Sequence, residues 1–351
     1  MAKSVDEEMM QEYKRVYAMT FQEHEDDLNL RFPINSFPGS YPTRIIRNNI
    51  EQRYNHLSQD AEKILLEEKS QGTITDCIKL LYNSTKTGPY CKYCQSPKSW
   101  EIFLPERFVA YIWCFSYYFL ISIERIVQDN EKGNKTPHTY ISDKMLVRAK
   151  EIFDKGLAIM KGNDILWTID EPNPFPTCNN VDSEPGYCIL ANHLAINAVT
   201  FCLYHELGHT FFLKHPSMKL QSDEFDADRF AIELASAPFA PLSNEDLALS
   251  CLFALSCTLF CSKDITKEGF GTHPHPIKRI QELFNFHEEH PFIAKGFSEN
   301  LRKIYCLILT NVIRFYGISY SSMDKDSSLE DAIRYLECII DPDGNVYHNL
   351  S

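Results

Sequence analysis

The chain has 351 residues, 44% of them apolar, and carries 48 acidic against 35 basic side chains for a formal net charge of -13. That length can bury a substantial core, as one large or two modest domains, and the acidic balance argues against general nucleic-acid binding. Residues 1–13 are polar and acidic without the apolar centre of a signal peptide, so a cytoplasmic protein is expected, with its twelve cysteines reduced and acting as small buried hydrophobes.

In chain order, residues 1–86 read as a helical N-terminal region, with 60–70 and 73–82 the best periodic runs and a proline-bearing connection at 29–43. No chemistry shows in that region, and only its position suggests docking or regulation. Tyr90 to Cys94, the turn-forming Gln95-Ser96-Pro97-Lys98 and Trp100 to Leu104 follow in a hairpin pattern. Cys91 and Cys94 form a lone CxxC without a partner pair, and since a structural zinc would need two more ligands, strand cysteines are the expected reading.

A long aromatic helix is expected over 108–127, central to the core, and a second helix over 143–160. Segments 108–123 and 247–261 are apolar enough to raise the question of a membrane, yet both fall short of the roughly 20 residues that span a bilayer and both are bounded by charge, so no integral membrane span is expected. The stretch 168–188, with four prolines, is a poor candidate for regular structure; it can wall a cleft or simply connect.

A buried helix over 192–215 carries Tyr204-His205-Glu206-Leu207-Gly208-His209. Positions four apart lie one above the other, so His205 and His209 present two imidazoles at the spacing of one metal ion, with Glu206 beside them to take a proton from water. A catalytic zinc needs a third protein ligand and an open site. His215 stands where a metzincin has its third histidine, but Phe212 replaces the glycine that would break the helix, and at about 100° per residue His215 points away. The alternative is Ser222-Asp223-Glu224-Phe225-Asp226-Ala227-Asp228, in which Ser222 suits a helix N-cap. Glu224 and Asp228 share a face, so Glu224 is the expected third ligand and Asp228 the group that orients a ligand histidine, while Asp223 and Asp226 lie on other faces. This is the ExxAD spacing of gluzincins.

After an apolar helix over 247–261, Thr272-His273-Pro274-His275-Pro276 opens a helix that places Arg279 six residues after His273. His273 is the candidate oxyanion donor and His275 the weaker alternative; a polar turn with proline at the first helical position explains the same residues. Closing helices are expected over 301–315 and 329–340, with a turn at 341–344.

HELGH, EFDAD and THPHPIKRI together resemble the gluzincin metallopeptidases and, more closely, the Lit family of bacterial phage-exclusion peptidases. The resemblance spans roughly residues 88–285 and includes the aromatic Tyr111-Ile112-Trp113-Cys114-Phe115-Ser116. It implies a mainly α (α+β) fold: a gluzincin-like helical metallopeptidase core in residues 87–351 with a small β-hairpin or sheet, and Zn²⁺ on His205, His209 and Glu224. It also implies a defence enzyme that cuts translation elongation factor Tu once a phage capsid-protein segment engages it. Two further readings stand beside this: a gluzincin with another target, such as a transcriptional repressor, and a zinc-stabilised interaction protein that binds without cutting. An intact Glu206 weighs against the last.

Overall fold

A computed structural model of the chain describes residues 46–55, 79–81, 86–95, 98–130, 142–163, 171–174, 185–212, 221–235, 244–261, 273–289, 295–319 and 328–340, with a few isolated positions between 41 and 70 and at 167. The described elements are mostly helical with one small sheet, the mainly α (α+β) arrangement expected. They divide into two compact units, one over 1–56 and 62–200 and one over 57–61 and 201–351.

In the first unit, α1 (Arg47–Asn55) precedes a three-stranded sheet of β1 (Lys79–Leu81), β2 (Tyr90–Gln95) and β3 (Lys98–Pro105). β2 and β3 form the expected hairpin, antiparallel, with Gln95 opposite Lys98; cross-strand aromatics fix it, Tyr90 stacking on Phe103 at 5.0 Å and Tyr93 meeting Trp100 edge-on at 5.4 Å. β1 corrects the expected helical run at 73–82: Lys79 to Leu81 pair parallel with Phe103 to Pro105. The three residues Lys79 to Leu81 are too few to carry a helical period by themselves, and the open edge of β3 decides their state. Cys91 and Cys94 are three apart on β2 and therefore on opposite faces, which leaves no common point for one ion.

α2 (Glu106–Asn130) is the expected aromatic helix, and Tyr111, Trp113, Phe115, Tyr117 and Phe119 are all fully buried. α3 (Asp143–Met160) packs along it. Ser142 caps α3 by accepting from the Met145 amide, and Gly162 ends the turn beyond it at a φ of 93°. Gly156 sets the approach of the pair: a Cβ there would lie 2.6 Å from Cys114 Cβ. The stretch around 171–174 is tied down rather than open, since Asn192 donates to the Pro174 carbonyl at 2.9 Å and accepts from Trp113 Nε1 at 2.6 Å.

α4 (Pro185–Phe212) is the motif-bearing helix. It begins seven residues before the expected start at 192 and claims the end of the proline-rich stretch, because a proline with fixed φ is at home in the first helical position. Its run Gly186–Phe211 is long and apolar enough to cross a membrane, but 67% of the window is buried inside the protein, as in a core helix. The division between the units falls within it, after Thr200.

The second unit holds the end of α4, then α5 (Gln221–Ala235), α6 (Asn244–Cys257) with a 3₁₀ turn Thr258–Phe260, α7 (Pro276–Glu289), α8 (Lys295–Phe315) and α9 (Leu329–Ile340). α5 starts at Gln221, which puts Ser222 inside its first turn instead of before it. α7 packs on α5 and α6, and α8 on α6 and α9. Buried Glu337 of α9 accepts from Tyr305 of α8 and Gln281 of α7, each at 3.0 Å, and so fixes α7 from behind. Residues 1–40, His215 and the turn at 341–344 lie outside the described residues.

Candidate metal centre

His205 and His209 sit one turn apart on α4 with their rings 4.6 Å apart. What brings a third group to them is the closeness of α5. Gly208, inside the motif, has no side chain, and Ala227 packs into that space; a Cβ at Gly208 would meet Ala227 Cα at 3.0 Å and the Phe230 ring at 3.2 Å. One turn before Asp228 on α5, Glu224 then reaches the histidines and is 0% exposed.

His205 Nε2 lies 3.0 Å from His209 Nε2 and 3.2 Å from Glu224 Oε2, and His209 Nε2 lies 3.3 Å from Glu224 Oε1. Ligands about 2.0–2.1 Å from a tetrahedral zinc are separated by about 3.3 Å, so these three distances approximate three edges of that tetrahedron. His205, His209 and Glu224 are the one group among the described residues whose donor atoms all lie within 4.8 Å and could hold a metal ion. Neither Glu224 oxygen receives an in-line hydrogen bond despite these short distances. A fully buried carboxylate that faces three imidazole nitrogens off the hydrogen-bond axis, His273 Nδ1 being the third at 2.7 Å from Oε2, calls for positive charge among them, which a metal ion at that point would supply. The donor set of two nitrogens and a carboxylate suits zinc.

Behind this group, His205 Nδ1 donates to Asp228 Oδ1 at 2.8 Å, which leaves the Nε2 lone pair for a metal. Arg279 of α7 grips the same carboxylate, Nε to Oδ2 at 2.7 Å and Nη2 to Oδ1 at 2.6 Å, and its Nη1 lies 3.9 Å from Glu224 Oε2. Burial opposes a charge on His205, but the Asp228 carboxylate outweighs it and pushes the imidazole up to about 9. Burial holds His209 below its ordinary value. Burial also works against ionised Asp228, and the Arg279 cation overrides it, keeping the carboxyl below the usual carboxylate range. Glu224 is held low in the same way, by His205, His209 and His273 acting against burial.

His273 Nδ1 stands 2.7 Å from Glu224 Oε2 with the ring 40% exposed. His275 serves the helix instead of the centre. Its carbonyl accepts from Lys278 N at 2.9 Å and its Nδ1 from Ile277 N at 3.3 Å, so it caps α7 with Pro276 as first helical residue. Glu206 is buried beside His205, and Asp226 is exposed, away from the histidines. Sequence spacing puts Arg279 near His273 but carries no sign of its partner, which lies 51 positions away; a buried acid at a ligand histidine was the one hint of a cation nearby.

A helix-borne histidine pair closed by a buried carboxylate is the kind of site that can hold one divalent cation and activate water. The family model for Peptidase U49 matches residues 102–295, more than half of the chain and all of α2 to α7, and the chain belongs to that peptidase family. No curated protein and no solved structure matches the chain.

Proposed function

We propose that the chain is a cytoplasmic zinc endopeptidase of the phage-exclusion type, with gluzincin ligation, that cuts translation elongation factor Tu after a phage capsid-protein segment engages it. The observation that carries the chemistry is the convergence of His205 Nε2, His209 Nε2 and the Glu224 carboxylate within 4.8 Å, in a chain of a peptidase family. The resemblance of HELGH, EFDAD and THPHPIKRI to the Lit peptidases supports the target and trigger.

His205, His209 and Glu224 would hold Zn²⁺, which when bound supplies Lewis acidity at a carbonyl and lowers the pKa of water to about 7. Glu206 takes the proton of the attacking water and returns it to the departing amine. Asp228 keeps the His205 proton on Nδ1 at 2.8 Å. With Nδ1 of His273 turned to Glu224, its Nε2 is the nitrogen left to donate to the developing oxyanion.

The test is the intact mass of elongation factor Tu after incubation with wild type or Glu206→Gln, both zinc-loaded, with and without a phage capsid-protein peptide. A single cut by wild type in the presence of the peptide, slowed by about 10²–10⁴-fold or more in Glu206→Gln, is the expected result. No cut under any condition, with zinc bound, overturns the target; equal cutting by the variant overturns the role of Glu206.

A further inference from the structure

We infer that Arg279 is a positioning residue of the metal centre: its guanidinium fixes the plane of the Asp228 carboxylate and, through it, the direction in which His205 Nε2 points. This rests on the metal-site reading above.

The terminal torsion of an aspartate is broad, so a single hydrogen bond to an imidazole leaves the carboxylate free to rock. Two parallel bonds from one planar guanidinium remove that freedom. Arg279 supplies both, Nε to Oδ2 at 2.7 Å and Nη2 to Oδ1 at 2.6 Å, and the side chains are only 14% and 9% exposed, so water does not compete. Oδ1 carries two donors at once, Nη2 of Arg279 and Nδ1 of His205, which leaves the imidazole little room to swing. Nη1 lies 3.9 Å from Glu224 Oε2, so one cation stands beside both the ligand carboxylate and the carboxylate that orients a ligand.

Arg279 comes from a third helix. α7 is capped by His275 at one end and held through Gln281 to Glu337, so the guanidinium is delivered on a rigid support. A merely structural ion pair would affect folding alone, whereas a positioning residue also sets metal affinity and ligand geometry.

The experiment uses the full chain: wild type, Arg279→Lys, Arg279→Gln, Asp228→Asn and the double variant Asp228→Asn/Arg279→Gln. Zinc affinity is read by chelator competition, ligand geometry by the visible absorption of bound cobalt(II), and folding of the metal-free protein by urea. Arg279→Gln is expected to weaken zinc by about 10–100-fold and alter the cobalt spectrum, as losses behind a ligand histidine do. Arg279→Lys keeps the charge but not the fork and stays weaker than wild type. In the Asp228→Asn background the Arg279→Gln change costs less than it does in wild type, because the route through Asp228 is gone and only the direct approaches of the guanidinium to His205 Nδ1 at 3.3 Å and Glu224 Oε2 at 3.9 Å remain. Wild-type affinity and spectrum in the Arg279 variants, or a fully additive loss in the double variant, overturns the inference; if Arg279→Gln does not fold, Arg279→Lys decides. A wild type that takes up no zinc overturns the metal-site reading itself, and this inference with it.

Discussion

At the residue scale, the centre is a contest between burial and charge. His205 is pushed up to about 9 because the Asp228 carboxylate outweighs burial, while burial alone dominates at His209. A raised folded pKa stabilises the metal-free protein fully below the unfolded value of roughly 6.5, and that contribution is lost as pH rises through about 9. Zinc must displace the same proton from Nε2. Zinc affinity should therefore rise by about tenfold per pH unit between roughly 6.5 and 9, one proton released per metal bound. Chelator competition across that range checks it, and a flat profile would argue that His205 is not a ligand. The histidine pair, Glu224 and the Asp228 contact were legible in the sequence because each lies on one helical face at a spacing of four. The Arg279 grip was not, since a pairing across 51 positions is made by packing and leaves no local period.

At the element scale, the centre exists because α4 and α5 come unusually close, and Gly208 against Ala227 is what permits it. In Gly208→Ala two effects oppose each other. The helix gains about 1 kcal/mol of propensity, and the crowding against Ala227 and Phe230 costs about 1–3 kcal/mol. Metal-free stability should therefore change by no more than about 2 kcal/mol, whereas Glu224 is levered away from the histidines and zinc affinity falls at least about tenfold. Urea unfolding and chelator competition on the same preparation separate the two, and unchanged affinity would contradict this account of the helix contact. Element boundaries were readable where local chemistry marks them: Ser142 before α3, Pro276 at the head of α7, and the 12-residue amphipathic run of α9. They were missed where the marker is ambiguous. Pro185 reads as loop among its neighbouring prolines but opens α4, and Lys79 to Leu81 become a strand only because β3 offers an edge.

At the scale of the whole molecule, the peptidase family covers residues 102–295, so the second half of the sheet's last strand, the aromatic helix and the candidate metal centre all belong to the shared part of the chain. Fold class was legible because long apolar helices and a turn-marked hairpin leave few alternatives in 351 residues. Target and trigger are surface properties, and a formal charge of -13 narrows partners without selecting one. The proposed chemistry is narrower than the proposed target: His205, His209 and Glu224, which could hold a metal ion, would hold one zinc, and Glu206 would act beside it without holding it. Elemental analysis of the purified wild type, Glu206→Gln and Glu224→Ala, prepared alike, tests that most directly. The account predicts a single zinc per chain in wild type and in Glu206→Gln, and its loss in Glu224→Ala; a wild type without zinc, or a Glu224→Ala protein that retains it fully, would contradict the account.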